Sequence, residues 1–186
     1  MWEIALPLHL AGSLPENPTD AQLSEECKRG NLRAFEFLYE QHSGRMKSVA
    51  FRLLGSHSDA EDAVHEAFLK VHKAVTGFEG HSSLTTWIYR ILLNCCYDAL
   101  RKQQKRAESP VVADLPSHSK IPLKLALERA LSLLNERQRI VFLLFETEGL
   151  KHSEIAAILE VPEGTSRSWL FEAKCQLKRL LTETAK

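Results

Sequence analysis

The sequence predicts an all-α protein made of two small helical domains joined by a flexible linker. Two observations predict this fold: apolar residues recur at helical spacing along most of the chain, and one proline-rich stretch interrupts them. The 186 residues are enough for one ordinary domain or two small ones. We divide the chain into a flexible arm over residues 1–18, a first domain over 19–106, a linker over 107–122 and a second domain over 123–186.

Composition and charge limit the class of protein. Hydrophobic residues make up 44% and charged residues 26%, as in folded soluble proteins. Lys+Arg and Asp+Glu both number 24, so the net charge is zero and nucleic-acid binding would have to come from local patches. The arm lacks the basic segment of a signal peptide, and no apolar stretch approaches the roughly 20 residues of a membrane helix. We expect a cytoplasmic protein without membrane insertion.

Cysteine and histidine spacing argues against a metal centre. The four cysteines show no CxxC pair and are interpreted as small core residues of a protein in a reducing compartment. His65 and His72 are seven positions apart on one predicted helix face, but no further ligand completes a set. The sequence therefore predicts neither a metal site nor another cofactor.

Capping residues and glycines set the expected helix boundaries in the first domain. One or two helices over Leu23–Tyr39 are broken near Gly30 and Asn31, and a further helix closes at Gly55. The following helix has apolar residues at positions 0, 3, 4, 7, 8 and 11. The expected helix starts are at Thr19 or Asp20, at about Ser43, and after a cap at Ser58.

The first turn of that following helix is acidic, with Asp59, Glu61 and Asp62. Acidic residues there complement the helix dipole, which is a common and purely structural role. The alternative is a docking face for a basic partner, which requires Glu66 and Leu69 to be exposed as well. Both interpretations remain open at this point.

The stretch from Gly77 to Arg106 carries a polar pattern that suits nucleic acid. After a glycine- and hydroxyl-rich loop, a helix shows an apolar face and a second face made of Arg90, Asn94, Asp98, Arg101 and Lys105. Guanidinium, amide and ammonium groups with one carboxylate suit phosphates and base edges. A solvated helix surface has the same composition.

Residues from about Gln103 to Pro122 contain three prolines among serines and charged residues and have no helical period. At about 3.3 Å per residue this stretch spans at most roughly 65 Å, so the two domains could bind a partner at separate places. Helices are predicted over Leu123–Leu134 and from near Asn135 to Gly149.

The end of the chain has a helix-turn-helix pattern. Ser153 is expected to cap a short helix, Glu154–Leu159, and Pro162 to occupy the first position of a long last helix. A plain helical hairpin has the same loop lengths. DNA binding is favoured by a small, basic and aromatic outward face made of Gly164, Arg167, Ser168, Phe171 and Lys178.

These motifs, in this order, resemble the extracytoplasmic-function (ECF) sigma factors of bacterial RNA polymerase. FEGHSSLTTWIYRILLNCCYDALRKQQKR resembles their second region, and EIAAILEVPEGTSRSWLFEAKCQLKRLL resembles their fourth. SDAEDAVHEAFLKVH is similar to the part of the second region that grips the polymerase clamp. The resemblance covers residues from about 24 to 182 and leaves the arm unmatched.

The resemblance implies three sets of binding residues. Polymerase binding, to the clamp helices of the β′ subunit, is implied for Asp59, Asp62, Glu66, Phe68 and Leu69. Capture of an extruded minus-ten base and contact with its strand are implied for Phe78, His81, Ser82, Ser83, Thr86, Arg90, Asn94, Asp98, Arg101 and Lys102. Reading of the minus-thirty-five element is implied for Gly164, Thr165, Arg167, Ser168, Phe171 and Lys178.

Four positions depart from the family pattern. His65 stands where the family often has Gln, and Ser166 stands where it often has Val. Ser166 is expected to face inward, where its hydroxyl can bond a backbone carbonyl one turn earlier. Trp169 and Glu172 stand where Arg is frequent, which should weaken phosphate contact. Alternatively, Glu172 accepts a hydrogen bond from cytosine N4 and alters specificity.

The resemblance implies a sigma factor that performs no bond chemistry. Its implied partners are core RNA polymerase (β′ clamp and β flap), promoter DNA and a separate anti-sigma factor. Two other functions are alternatives to a sigma factor. A stand-alone helix-turn-helix regulator would bind duplex DNA without polymerase, and a helical enzyme would need a catalytic constellation that the sequence does not display.

Overall fold

A computed structural model describes residues 14–15, 17–106 and 123–184. Its regular elements in these ranges are all helical. In the first half they are α1 (Asp20–Lys28), α2 (Leu32–Leu54), α3 (His57–Ala74) and α4 (Leu84–Arg106). In the second half they are α5 (Leu123–Ser132), α6 (Glu136–Phe142), α7 (His152–Leu159) and α8 (Glu163–Thr184). The all-α prediction is confirmed.

Local capping chemistry explains most of the boundaries. Thr19 and Gln22 form a capping box at the start of α1, and Asn31 caps α2 by accepting from the backbone N–H of Arg33. Gly55 ends α2 in the left-handed conformation, with φ of 71°, as the sequence predicted. Asn135 caps α6 in the same way as Asn31 caps α2.

Three predicted boundaries are wrong. No helix begins at Ser43, because α2 runs unbroken past Gly44 and the buried His42 and Met46 continue one inward face. Ser56 caps α3 instead of Ser58, since its side chain accepts from the backbone N–H of Asp59 at 3.3 Å.

The third wrong boundary is at α7. Its N-cap is Lys151 and not Ser153, because the carboxylate of Glu154 accepts from the Lys151 backbone N–H at 2.8 Å. The last helix begins at Glu163, directly after Pro162, whose carbonyl accepts the first bonds of the helix.

The helices form two sets that share one hydrophobic core. In the first set α2, α3 and α4 pack against one another, with α1 against α2. In the second set α8 packs against α5, α6 and α7. The sets also touch, since α4 contacts α7 and α2 contacts α5 and α6. Buried residues of both sets therefore belong to one continuous cluster.

A π-helical turn, Leu143–Thr147, continues α6, and Gly149 follows two residues later with φ of 70°. The turn buries Leu143 and Leu144 in the core. It also places Glu148, the next residue, beside α4. Glu148 therefore reaches the first set of helices although it belongs to the second.

Candidate nucleic-acid interface

The outer face of α3 is acidic and partly apolar. Asp62, Glu66 and Leu69 are exposed, and 44% of the Leu69 side chain is open to solvent. Phe68 is half-buried and packs on Tyr39 of α2, with ring centroids 4.8 Å apart. An exposed leucine among carboxylates suits a basic protein surface with apolar patches.

Asp59 differs from its neighbours on α3. Its carboxylate is half-buried and accepts a hydrogen bond from the side-chain amide of Gln103 at 2.7 Å. The same amide nitrogen reaches the Leu54 carbonyl at 3.5 Å. The Asp59 carboxylate therefore helps to hold the end of α4 against α3.

The polar stripe of α4 is only partly open. Asn94, Asp98, Arg101 and Lys102 are exposed, but Asp98 pairs with Arg101 at 3.5 Å. Asp98 also lies 3.9 Å from Lys70 of α3. Since Asp98 is engaged by two cations, Asn94 of the stripe and Lys102 beside it are the groups most available to a ligand.

Lys70 lies over the buried Cys95 thiol in the groove between α3 and α4. Burial raises the pKa of the Cys95 thiol, and the nearby Lys70 ammonium acts in the opposite direction. A shallow recess lined by Lys70, Lys73, Ala74, Ile91 and Asn94 opens next to this pair. The ammonium groups of Lys70 and Lys73 suit a phosphate. The apolar side chains of Ala74 and Ile91 suit the face of a base.

The loop before α4 separates into buried and exposed residues. Phe78 is 8% exposed and packs on Trp87, with centroids 5.1 Å apart. His81 is exposed, and its ring Nε2 lies 2.8 Å from the Glu79 carboxylate. Ser82 is half-buried. Phe78 therefore supports the loop from below, and His81 is on its open side.

Ser83, Thr86 and Arg90 lie against α7 of the second set. The Ser83 and Thr86 hydroxyls are 2.7 Å apart, and each is 3.3 Å from the Glu154 carboxylate. Arg90 donates to the backbone carbonyl of Ala157 at 2.6 Å. The structure thus brings three of the sequence-predicted strand-binding residues together under α7.

The outward face of α8 is exposed as predicted. Gly164, Arg167, Ser168, Phe171 and Lys178 are all exposed, and Thr165 is half-buried. Phe171 is 71% exposed, the highest value among the exposed large hydrophobic residues of the described chain. Arg167 pairs with Glu163 one turn earlier at 2.5 Å. An aromatic ring and a guanidinium on the N-terminal half of this helix suit base edges in a major groove.

Sequence reasoning missed two α6 side chains that flank α8. The Arg137 guanidinium carbon lies 5.4 Å from the centroid of the Trp169 ring, and the Gln138 amide donates to Glu172 at 2.8 Å. The two residues that replace arginines are therefore held by α6. No local sequence signal indicates such contacts, since Gln138 and Glu172 are 34 positions apart.

Ser166 is buried, as its helical position predicted, but its bonding partner is not the predicted carbonyl. Its hydroxyl lies 2.9 Å from Nδ1 of His152. Burial lowers the pKa of His152, with Arg167 adding to the effect. The bond therefore joins α8 to the first residue of α7 and fixes the angle within the helix-turn-helix.

Comparison with known proteins decides the family. The profile of Sigma-70 region 2 matches residues 38–106, and that of Sigma-70, region 4, matches residues 124–177. The ECF RNA polymerase sigma-E factor of Escherichia coli K12 is 32% identical over 179 residues, covering 87% of this chain and 93% of the relative. The chain belongs to the ECF sigma factors of RNA polymerase. The ECF sigma factor SigM of Mycobacterium tuberculosis is 29% identical over 168 residues, covering 88% of this chain and 85% of the relative.

Solved structures agree with this sigma-factor fold. The sigma factor RpoE of Bartonella quintana, solved with the anti-sigma factor NepR, matches with a TM-score of 0.68 and 26% identity. The match covers 80% of this chain and 96% of that one. CnrH, solved with the cytosolic domain of CnrY, has the same fold, with a TM-score of 0.71 at 24% identity over 88% of this chain and 97% of that one.

The sequence resemblance to ECF sigma factors is thus confirmed, and with it the function as a transcription initiation factor that works with RNA polymerase. Within the ranges that the structure describes, no helix is long and apolar enough to cross a membrane. In the same ranges, no group of three or more His, Cys, Asp or Glu side chains is arranged to hold a metal ion.

Proposed function

We propose that this sigma factor divides promoter recognition between two domains, residues 19–106 and residues 123–186. The first binds core polymerase and the minus-ten strand, and the second reads the minus-thirty-five element. The observation that supports this division most directly is the exposed face of α8, where Phe171 and Arg167 have no structural role that requires their exposure.

The polymerase-binding surface that we propose is the outer face of α3. Asp62, Glu66 and Leu69 are exposed together there, and Phe68 supports them from below. This arrangement favours the docking interpretation of the acidic first turn over simple dipole complementarity, because the exposure of Glu66 and Leu69 was its requirement. Asp59 acts through Gln103 in positioning α4 against this face.

For the minus-ten element we propose capture of an extruded base beside Asn94 and the loop of His81 to Thr86. Extrusion costs a few kcal/mol, which stacking and edge hydrogen bonds in a pocket offset. Asn94 is exposed next to the recess between α3 and α4, where an amide can bond a base edge. Arg90, Arg101 and Lys102 supply phosphate contacts along the strand.

For the minus-thirty-five element we propose that α8 enters the major groove with Arg167, Ser168 and Phe171 facing bases. Gly164 and Thr165 sit where the backbone comes nearest the DNA, and Lys178 contacts phosphate. Arg167 must exchange its bond with Glu163 for a base or phosphate, which is a small cost for an exposed pair.

We further propose that the protein performs no bond chemistry of its own and works in the cytoplasm. The polymerase supplies catalysis, and the sigma factor supplies binding and strand separation. RpoE of Bartonella quintana, which is similar to this chain, is solved with an anti-sigma factor, which supports control of this chain by a separate anti-sigma protein.

Transcription in vitro with core polymerase on a pool of promoter fragments tests the assignment, and transcripts should appear only when both proteins are present. A gel shift with and without core enzyme separates a sigma factor from a stand-alone regulator. Tight, sequence-specific duplex binding without polymerase, with no transcripts in its presence, would contradict the proposal.

A pair of charge reversals tests the α3 surface. Glu66→Arg should weaken binding to core polymerase by about tenfold or more, because a cation then faces a basic surface. Glu25→Arg on α1 is a matched control, since Glu25 and Glu66 are 54% and 55% exposed and each pairs with a lysine of its own helix. Equal losses in both variants would remove α3 as the docking face.

A further inference from the structure

One flank of α8 faces the corner where α5 meets α6. Three residues form this flank, because they are three and four positions apart and so lie on one stripe of the helix: Trp169, Glu172 and Gln176. Trp169 and Glu172 meet α6 through Arg137 and Gln138, respectively. The Gln176 amide donates to the backbone carbonyl directly after α5 at 3.2 Å. The first turn of α6 is therefore part of the surface that surrounds α8 on this flank.

The flank borders the outward face of α8 that we assign to the minus-thirty-five element. Trp169 follows Ser168 of that face, and Glu172 follows Phe171, each by one position or about 100° of rotation. The major groove of B-DNA is about 12 Å wide, which is close to the diameter of a helix with its side chains. Since the walls of the groove are phosphate backbones, residues on the flank face phosphates when the outward face is in the groove.

Arg137 is the cation on this flank. Its side chain is exposed, and its guanidinium carbon lies 5.4 Å from the centroid of the half-buried Trp169 ring, within the range of a cation–π contact. Among the residues that the structure describes, Arg137 forms no ion pair. Arg167 differs, because it shares its charge with Glu163. The ring thus holds the Arg137 guanidinium beside α8 and leaves its charge available to an anion.

Trp169 stands where ECF sigma factors often have Arg, and the sequence alone predicted weaker phosphate contact from this loss. We propose that Arg137 of α6 supplies the phosphate contact on this flank, with the Trp169 ring as its support, so that α6 provides the cation that α8 lacks. The inference rests on the proposed placement of α8 in the major groove.

The chemistry of the guanidinium suits this role. A guanidinium can bond two oxygens of one phosphate, and a planar group already stacked on a ring loses less freedom on binding. A phosphate contact carries no base information. Arg137 therefore contributes affinity and salt dependence, whereas discrimination between base pairs belongs to Arg167, Ser168 and Phe171.

The salt dependence of holoenzyme binding measures this contact. The probe is a promoter duplex selected in the transcription assay, titrated with holoenzyme between about 50 and 200 mM salt. Arg137→Gln should lower the slope of log affinity against log salt by about 0.9, because one phosphate contact is lost. Binding at the low-salt end should weaken by about fivefold, and equally for duplexes substituted at any base pair.

Two further variants sharpen the test. Arg33→Gln removes the same charge from an exposed position of α2 and should leave the slope unchanged. Trp169→Arg, added to Arg137→Gln, should restore the slope, because a cation returns to the same flank. A fluorescence titration with core polymerase checks folding, and its affinity should be equal in all variants.

Three results would overturn the inference. A slope that Arg137→Gln leaves unchanged shows that this side chain touches no phosphate. An equal fall in Arg33→Gln shows that only net charge acts. A slope that Trp169→Arg does not restore places the contact away from this flank.

Phe171→Ala tests the placement of α8 separately, since it should remove discrimination between base pairs of the minus-thirty-five element. If discrimination is lost in this variant and the slope is unchanged in Arg137→Gln, the inference on Arg137 fails alone. If Phe171→Ala and Arg167→Ala both keep full discrimination, the placement of α8 fails and the inference on Arg137 fails with it.

Discussion

The Tyr89 hydroxyl donates a hydrogen bond to the Glu148 carboxylate across 59 positions of sequence. The ring is buried on α4, and the carboxylate follows the π-helical turn of the second set. Burial, together with the bond to Glu148, raises the pKa of Tyr89 far above its ordinary value, so the hydroxyl remains a donor at all physiological pH values. This bond ties the stability of one helical set to the position of the other.

Removing that hydroxyl should destabilise the protein. Tyr89→Phe keeps the ring and deletes the donor, so we expect a loss of about 1–2 kcal/mol in the free energy of unfolding, measured by urea titration. Tyr39→Phe is the control, because Tyr39 is 43% exposed. Loss of its hydroxyl should change the free energy of unfolding by less than about 0.5 kcal/mol. Equal effects of the two substitutions would show that the Glu148 bond contributes no stability.

A second prediction concerns the pH dependence of stability. His42 is buried, and burial lowers its pKa; Asp20 and Glu148 act in the opposite direction, and Arg45 adds to the lowering. The unfolded chain therefore binds a proton at higher pH than the folded chain does. The stabilising effect of neutral His42 is complete above about pH 6.5 and is lost as the pH falls below that value.

Thermal unfolding at about pH 5.5 and at about pH 7.5 checks this prediction, since these two pH values lie on either side of the ordinary pKa of histidine. His42→Gln should reduce the difference between the two melting temperatures. His65→Gln, which removes an exposed histidine of α3, is the comparison variant. An unchanged difference in the His42 variant would show that this ring does not titrate on unfolding.

A third prediction separates strand capture from polymerase binding. Asn94→Ala should lower promoter opening by about tenfold or more while leaving the affinity for core polymerase unchanged, because the lost amide bonds only the extruded base. Permanganate reactivity of the melted bases reports opening, and a fluorescence titration reports core binding. Gln104→Ala, on an exposed position of the same helix, is the control. Equal loss of opening and core binding would remove Asn94 from the proposed pocket.

A fourth prediction concerns Glu172 on α8, the helix that we propose reads the minus-thirty-five element. Its carboxylate accepts from Gln138, and it lies beside the face that carries Phe171. Removing the negative charge by Glu172→Gln should tighten duplex binding by a few-fold for all sequences at low salt, since phosphate repulsion is relieved. Gel shifts of the complex with core polymerase on duplexes substituted at each base pair measure this. A loss of discrimination at one C·G pair would instead identify Glu172 as a base reader.

Much of the fold follows from the sequence because it depends on local chemistry. Gly55 and Asn135 end and begin helices where the sequence predicted, since left-handed conformation and side-chain capping are decided within a few residues. The choice of Ser56 over Ser58 was not predictable, because two hydroxyl residues stand two positions apart and both can cap. Packing decided the continuity of α2 through Gly44.

The exposure of several proposed site residues could be predicted from the sequence, whereas their contacts between the two helical sets could not. The outward face of α8 follows from helical period alone, and Phe171 is exposed as expected. The contacts of Ser83 and Tyr89 with Glu154 and Glu148 join residues 71 and 59 positions apart and depend on how two helical sets dock. No period or cap encodes such a contact, because it is decided by the shapes of two assembled surfaces.

The shared face of α4 has a consequence for how this sigma factor can evolve. Ser83, Thr86 and Arg90 each contact α7, and we propose the same three residues for the minus-ten strand. A substitution that adapts one of these positions to a new promoter would then also change the packing between the two helical sets. Promoter preference and stability would be coupled at these three positions, whereas changes at Arg167 or Phe171 on α8 leave the α7 contact untouched.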